Sequence, residues 1–305
     1  MSILLLLTTS GCLLTKELHF LGAQKKIVYE LASPPPIEIP FASQGDSVVL
    51  FDADMGVPMK LVFDTGAPVT AVFDTPTGGL DLDLSHARKL GDPDDPEVPF
   101  GAFLYDYHVR LGALTLERLP IVGIPLDSIP CPDKIRELAL DGAIGGDLLR
   151  RFAVELDFDH AVARLYDATT YTPPAGSAVV PVTMKSGHWF VPARVELPSG
   201  PREGMLHVDS GSTSGIDIIL RDGEAPPAGT TTRQACSVQG LRPVYDGGTV
   251  DVVIGSATAA QVEVSWVEDN AMVPDQIGRI GIGGLRKLIP VFDETNERLV
   301  LSPRS

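Results

Sequence analysis

The stretch LVFDTGAPVT, residues 61–70, sets one acid, Asp64, after an apolar run and before the small residues Thr65, Gly66 and Ala67. A carboxylate at the end of a strand commonly forms a turn; it can also be half of a catalytic pair. The second reading needs a partner acid in a similar setting, a domain's length away. GMLHVDSGSTSGIDIIL, residues 204–220, meets that need: Asp209-Ser210-Gly211 repeats Asp64-Thr65-Gly66.

The repeat extends outward from both motifs. Upstream, SVVLFDADMGVPMKLVFDTG (47–66) alternates apolar and polar residues around a turn at 55–58, which predicts a hairpin leading into Asp64. WFVPARVELPSGPREGMLHVDSG (189–211) does the same around 198–201. Downstream, YDYHVRLGALTLERLPIVGIP (105–125) is echoed by GTVDVVIGSATAAQVEVSWV (248–267), each a strand, a Gly turn at Gly112 or Gly255, and a second strand. AIGGDLLRRFAVELD (143–157) then aligns without a gap on RIGIGGLRKLIPVFD (279–293), setting Ile144-Gly145 on Ile280-Gly281 and Asp157 on Asp293. Each half closes on a strand, ARLYD or ERLVL. The order of so many matched positions identifies a tandem duplication.

The two halves resemble the lobes of the two-lobed, pepsin-like aspartic proteases, each compact half being similar to the retropepsin-like bacterial domains. The resemblance covers about residues 37–303, and its most specific parts are the two Asp-Thr/Ser-Gly motifs, each followed by an apolar-Gly pair. It implies a mainly β, bilobal fold with a cleft between two similar β-rich lobes, residues 37–168 and 179–305. The Thr- and Pro-rich DATTYTPPAGSA spans the join, with 169–178 as interlobe linker.

The resemblance also implies a catalytic pair, Asp64 and Asp209, supported by Thr65, Gly66, Ser210, Gly211 and Ser212. Like charges about 3 Å apart do not both ionise cheaply, so such a pair shares one proton. The ionised acid activates a water; the protonated one hydrogen-bonds the peptide carbonyl. Which acid holds the proton is open at this level. The glycines lack a Cβ and let the backbone come close to the carboxylates, and the elements Ile144-Gly145 and Ile280-Gly281 pass near the two Asp loops in this family. A chain carrying both acids needs no dimer, no metal and no cofactor; its partner is a peptide or protein substrate.

Three positions depart from the family. The region DDPEVPFGAFLYDY (94–107) has Phe100 and Phe103 near the expected flap tip in place of a Tyr, with Tyr105 in the returning strand. His207 stands two residues before Asp209, where the first half has Val62; it reads either as a satisfied packing residue or as a perturber of Asp209. Ala67 follows the first motif and Ser212 the second, so a hydroxyl would support Asp209 alone. The alternative to an active enzyme is a silent lipoprotein that keeps the scaffold and binds peptides or a protein partner in its cleft.

Composition bounds the rest. The chain has 305 residues, 44% hydrophobic and 21% charged, enough for a sizeable core. A net charge of −16, with no basic stripe, excludes nucleic acid as a partner. MSILLLLTTSGC (1–12) is far shorter than the roughly 20 apolar residues that span a bilayer. It resembles an export signal ending in a bacterial lipobox, although no Lys or Arg precedes the apolar run. That reading makes Cys12 the acylated residue, residues 13–36 a tether, and the location the bacterial cell envelope, periplasmic or outer-membrane. Within the tether, KELHFLGAQKKIVYEL (16–31) reads as either a strand or a short packed helix. Cys131 and Cys236 read as a bridge or as two separate thiols, and neither C-x-x-C nor H-E-x-x-H occurs.

Weaker signals have plainer explanations. GSTSG centres on Thr213 rather than Ser, which excludes a nucleophile elbow. GRIGIGG has Arg286 where a nucleotide loop needs its third Gly. The acid run GDPDDPE (91–97) reads as a solvated loop. Arg150-Arg151 and Arg286-Lys287, at matched places, read as structural residues on helix ends near acids.

Overall fold

The computed structural model describes residues 11–43, 48–75, 80–90, 100–237, 240–269 and 271–304. The apolar leader 1–10 and the acid run 91–97 lie outside them. The protein is mainly β, 55% strand and 9% helix. Helix α1 (Gly11–Gln24) is followed by β1 (Val28–Leu31), β2 (Ile37–Ser43), β3 (Val49–Asp54), β4 (Pro58–Phe63) and β5 (Ala71–Phe73). Next come β6 (Arg88–Lys89), β7 (Phe100–Leu111), β8 (Leu114–Ile124), α2 (Pro132–Glu137), β9 (Gly142–Ile144), α3 (Gly146–Leu149), β10 (Phe152–Asp157) and β11 (Val162–Asp167). The second half holds β12 (Ala178–Pro181), β13 (Thr183–Lys185), β14 (His188–Leu197), β15 (Gly200–Asp209), β16 (Ile216–Ile219) and β17 (Thr231–Ser237). It ends with β18 (Gly240–Ile254), β19 (Ala257–Val267), β20 (Gln276–Gly281), α4 (Ile282–Leu285), β21 (Leu288–Asp293) and β22 (Arg298–Pro303).

Alternation makes these strands. In β2, Ile37, Ile39 and Phe41 are buried while the residues between them are exposed, the period-2 pattern of a strand with one face on a core. Hairpins turn where glycine relieves a left-handed backbone: Gly56 (φ +86) between β3 and β4, Gly112 (φ +55) between β7 and β8, and Gly255 (φ +61) between β18 and β19.

The strand order repeats between the halves. The first half runs β3-β4-β9-β5-β8-β7-β6 and the second β14-β15-β20-β16-β19-β18-β17. Their senses agree: β4 with β9 and β15 with β20 are parallel, and β9 with β5 and β20 with β16 antiparallel. Each order is closed on itself by a further pairing, β3 with β7 and β14 with β18. A second run, β12-β22-β21-β10-β11-β2, joins the halves, with β10 and β21 meeting at Val154–Phe292 and Glu155–Val291. Its outer turns are matched too, since Asp157 binds Arg164 (2.8 Å) and Asp293 binds Arg298 (2.7 Å).

One continuous apolar core runs through both halves. Phe292 of the second half stands 5.6 Å from Phe63 of the first and 5.8 Å from Trp189, ring centre to ring centre. All three are essentially buried, each worth roughly 1.5–3 kcal/mol in removed apolar surface.

The stretch 16–31 contains both candidate elements, the end of α1 and then β1. Phe20 of α1 is buried against Phe103 at 4.4 Å, and β1 pairs with β8. Cys12 lies in α1. No helix among the described residues is long and apolar enough to cross a membrane. Cys131 and Cys236 form a disulfide whose partners are 105 residues apart, one just before α2 and the other on β17. It is a covalent tie between the halves, remote in sequence from the β10–β21 seam.

A disulfide typically stabilises by about 2–4 kcal/mol, chiefly by restraining the unfolded chain. The double change Cys131→Ser and Cys236→Ser is therefore expected to lower unfolding stability by about that amount in urea titration, with the native circular dichroism retained. An unchanged midpoint would mean that the bridge restrains nothing.

Candidate active site

Asp64 follows the last residue of β4, and Asp209 ends β15. Each then enters a tight turn whose amides fold back on the acid. Gly66 N–H donates to Asp64 Oδ1 at 2.7 Å; Gly211 and Ser212 N–H donate to Asp209 Oδ1 at 3.0 and 3.1 Å. The Ser212 hydroxyl pairs with Ser214 at 2.9 Å, so the support that Ser212 gives Asp209 comes from its backbone, correcting the hydroxyl role read from sequence.

The two turns lock onto each other through Thr65 and Ser210, both buried. Thr65 Oγ1 donates to Val208 O (3.0 Å) and accepts Ser210 N–H (3.1 Å). Ser210 Oγ donates to Phe63 O (3.0 Å) and accepts Thr65 N–H (2.9 Å). Every bond crosses from one half to the other. The fit leaves no room for larger residues: a Cβ on Gly211 would stand 2.5 Å from Asp64 Cγ.

The apolar-Gly elements seat these turns from behind. Asp64 N–H donates to Ile144 O, and a Cβ on Gly145 would lie 1.9 Å from Asp64 O. In the second half a Cβ on Gly281 would lie 2.4 Å from Ser214 O, and Ile282 N–H donates to Ser212 O. Buried Asp147 on α3 accepts from Thr70 N–H (2.5 Å) and Oγ1 (2.7 Å), while Arg150 bonds Asp147 and Pro68 O (2.7 Å). Arg150 thus fixes the first turn, as its place at a helix end implied.

A cavity of about 470 Å³ opens on the dyad and is lined chiefly from the second half. Here the halves diverge. In parallel strand pairs of the same kind, Val62 is opposite Ala143 in the first half and His207 opposite Arg279 in the second. Antiparallel to these, Ala71 meets Ala143, and Asp217 meets Arg279. Val62 and Ala143 belong to a small apolar cluster with Val48, Leu50 and Leu140. The corresponding row His207–Arg279–Asp217 is polar. Arg279 reaches Asp217 Oδ2 through Nη2 (2.6 Å) and Nε (3.2 Å), and Asp209 Oδ2 through Nη1 at 3.5 Å. The ungapped alignment set Ala143 against Arg279, which was the available signal; Asp217 had none.

His207 does not have the satisfied nitrogens of the plainer sequence reading. It is 7% exposed, stacks on Phe190 at 5.3 Å, stands edge-on to His188 at 5.0 Å, and its Nε2 has no partner. Phe100 and Phe103 do not line the dyad cavity. Phe103 is stacked on Phe20, because β7 turns that face toward α1, and Phe100 pairs with Lys89 of β6 and is exposed. No cluster of His, Cys, Asp and Glu suited to a metal occurs among the described residues. No family model matches the chain, and no curated protein sequence matches it.

Burial first, and then the charge of Asp209, pushes the Asp64 carboxyl up to about 7. Burial also pushes the His207 imidazole down to about 4, against the pull of Asp209. Their linkage to stability has opposite signs. Between about pH 4 and 7 folding takes up a proton at Asp64, so that group lowers stability as pH rises. Between about 6.5 and 4 folding expels a proton from His207, so that group lowers stability as pH falls. Relative to the parent, Asp64→Asn is expected to gain melting temperature steadily from pH 4 to 7, by an amount on the order of a few degrees. His207→Val should show its largest advantage near pH 4 and lose it by pH 6.5. Differential scanning calorimetry reads both; a pH-independent difference for either variant contradicts the assignment.

Proposed function

We propose that the protein is an aspartic endopeptidase made of two similar β-rich lobes, with Asp64 and Asp209 as its catalytic pair. The observation that carries this is the reciprocal Thr65–Ser210 exchange, which holds two Asp-Thr/Ser-Gly turns face to face at the mouth of a cavity. A merely structural turn acid has no reason to meet its duplicate across a pseudo-symmetric seam.

Asp64 retains the shared proton, since burial and Asp209 both favour its neutral form. With the one shared proton on Asp64, Asp209 acts as the base, and the Arg279 guanidinium stands 3.5 Å from its Oδ2. Asp209 takes a proton from a water as that water attacks a peptide carbonyl, and Asp64 donates a hydrogen bond to the carbonyl oxygen as charge develops there. Because the proton must stay on Asp64, the upper limb of the pH profile falls at about 7. No metal or cofactor takes part, and one chain carries both acids. Exposure of the purified parent, lacking the leader, to a mixed peptide pool from acid to neutral pH should give cleavage that fades above about pH 7. Folded Asp64→Asn and Asp209→Asn should both lose it. Mass spectrometry of the products gives the outcome, and cleavage unaffected by either change would sink the catalytic assignment.

Arg279 favours a second reading, a silent peptide-binding scaffold. A guanidinium this close to Asp209 can neutralise the base that the reaction needs. Absence of cleavage at every pH would select it.

The proposed setting is the bacterial envelope, with the chain exported and anchored by a lipid on Cys12. The Cys131–Cys236 disulfide supports an oxidising compartment. Expressed in a bacterium with its leader, the protein should partition with membranes and enter detergent, whereas Cys12→Ala should appear in the soluble envelope fraction. Equal partitioning of the two would remove the anchor.

A further inference from the structure

The polar row beside Asp209 leaves two imidazole atoms that the reaction does not use. His207 Nε2 and His188 Nδ1 are both buried and both without a hydrogen-bond partner. A buried polar atom left unpaired costs about 1–3 kcal/mol, so such atoms call for an explanation. His207 is more than nine-tenths buried, is held in place against Phe190, and lines the cavity together with His188. Nothing about the scaffold requires an imidazole there, because the first half fills the same register with Val62.

Outside the acid pair, the other polar side chains lining the cavity have partners. Arg279 is bound to Asp217 and reaches Asp209. The Gln276 carboxamide accepts from Met272 N–H (2.7 Å) and donates to Gly278 O (3.4 Å), and Asp269 is paired with Arg242 (2.6 Å). A cationic guest would meet the Arg279 guanidinium, and the carboxylates that could attract it are already served, Asp217 and Asp209 by Arg279 and Asp269 by Arg242. An anionic one would meet Asp209, Asp217 and Asp269. An apolar guest would seal the two imidazole atoms away from water unpaired. An uncharged group that both donates and accepts meets none of these objections, and a carboxamide offers the two functions side by side.

Resting on the reading that this cleft takes peptides, we propose that the cavity is a subsite for the carboxamide side chain of Asn or Gln next to the dyad, with His207 as the residue that selects it. His188, 5.0 Å from His207 between ring centres, supplies the second contact. The matched registers of the first half hold Val62, Ala143 and Ala71, which offer no such preference.

The test separates binding from cutting. Asp64→Asn protein, immobilised at pH 7, is mixed with a random peptide library, and the captured peptides are sequenced by mass spectrometry. The expected result is enrichment of Asn and Gln at one position by about tenfold, the equivalent of one hydrogen bond of roughly 1.4 kcal/mol. Adding His207→Val, which installs the first-half residue, should abolish that enrichment in favour of apolar side chains. Adding His207→Gln, which restores hydrogen-bonding atoms, should retain it. Melting temperature checks that each variant is folded. Enrichment of apolar or charged residues by the single variant, persistence of the carboxamide preference in His207→Val, or no capture by folded protein would each overturn the proposal. Failure of the parent to cleave peptides bears on catalysis alone and leaves this result readable.

Discussion

The exchange of four hydrogen bonds between Thr65 and Ser210 is the constraint on which the rest of the molecule depends. Each hydroxyl donates to a carbonyl of the opposite half and accepts an amide from it. At roughly 0.5–1.5 kcal/mol net per bond, the gain is modest. The asymmetry matters more: removing the two hydroxyls from the closed seam would strand Phe63 O, Val208 O and two amides where water does not reach. The turns are therefore held at one separation, which forces two carboxylates into one small space. The same geometry that creates the pair opposes its full ionisation: burial first, and then the charge of Asp209, raises the Asp64 carboxyl. That strain is tolerable because the halves are tied elsewhere as well, by the β10–β21 pairing, by the Phe63–Phe292–Trp189 contact and by a disulfide.

The two halves share one strand order, and chemistry separates them. Three adjacent registers that hold Val62, Ala143 and Ala71 in one half hold His207, Arg279 and Asp217 in the other. Burial pulls the Arg279 guanidinium down, and the charges of Asp217 and Asp209 more than offset that pull. A buried ion pair of this kind adds little net stability but is expensive to break from one side. The row is thus poorly explained as a stabilising device, since the apolar version in the first half packs the same scaffold at no such risk. Its position at the dyad cavity explains it better.

Much of this was legible in the chain. Alternation fixed the strands, glycines marked the hairpin turns at Gly56, Gly112 and Gly255, and the repeat located both acids and both apolar-Gly elements. What escaped did so for physical reasons. His207, Arg279 and Asp217 are distant in sequence and become neighbours only through strand register across β15, β20 and β16. Ser212 was read by its hydroxyl, yet the bond to Asp209 comes from an amide that any residue but proline would supply. Phe103 was placed near a flap tip by its spacing, while its partner, Phe20, belongs to a helix whose own pattern did not separate it from a strand. The Cys131–Cys236 bridge had no local signal either, because only the fold brings α2 near β17.

The distances around Asp209 bear on whether Arg279 silences the pair or tunes it. Arg279 is held at 2.6 and 3.2 Å by Asp217 but stands 3.5 Å from Asp209 Oδ2, at the outer limit of a hydrogen bond. Its charge is thus shared unequally, and Asp217 takes the larger part. Asp209 Oδ1 is meanwhile committed to the amides of Gly211 and Ser212. Under the proposed mechanism the oxygen left for a water is Oδ2, with the guanidinium 3.5 Å away. An arginine bonded to Asp209 alone would have taken that oxygen out of use. Asp217, buried in a register where the other half has alanine, is what draws it aside.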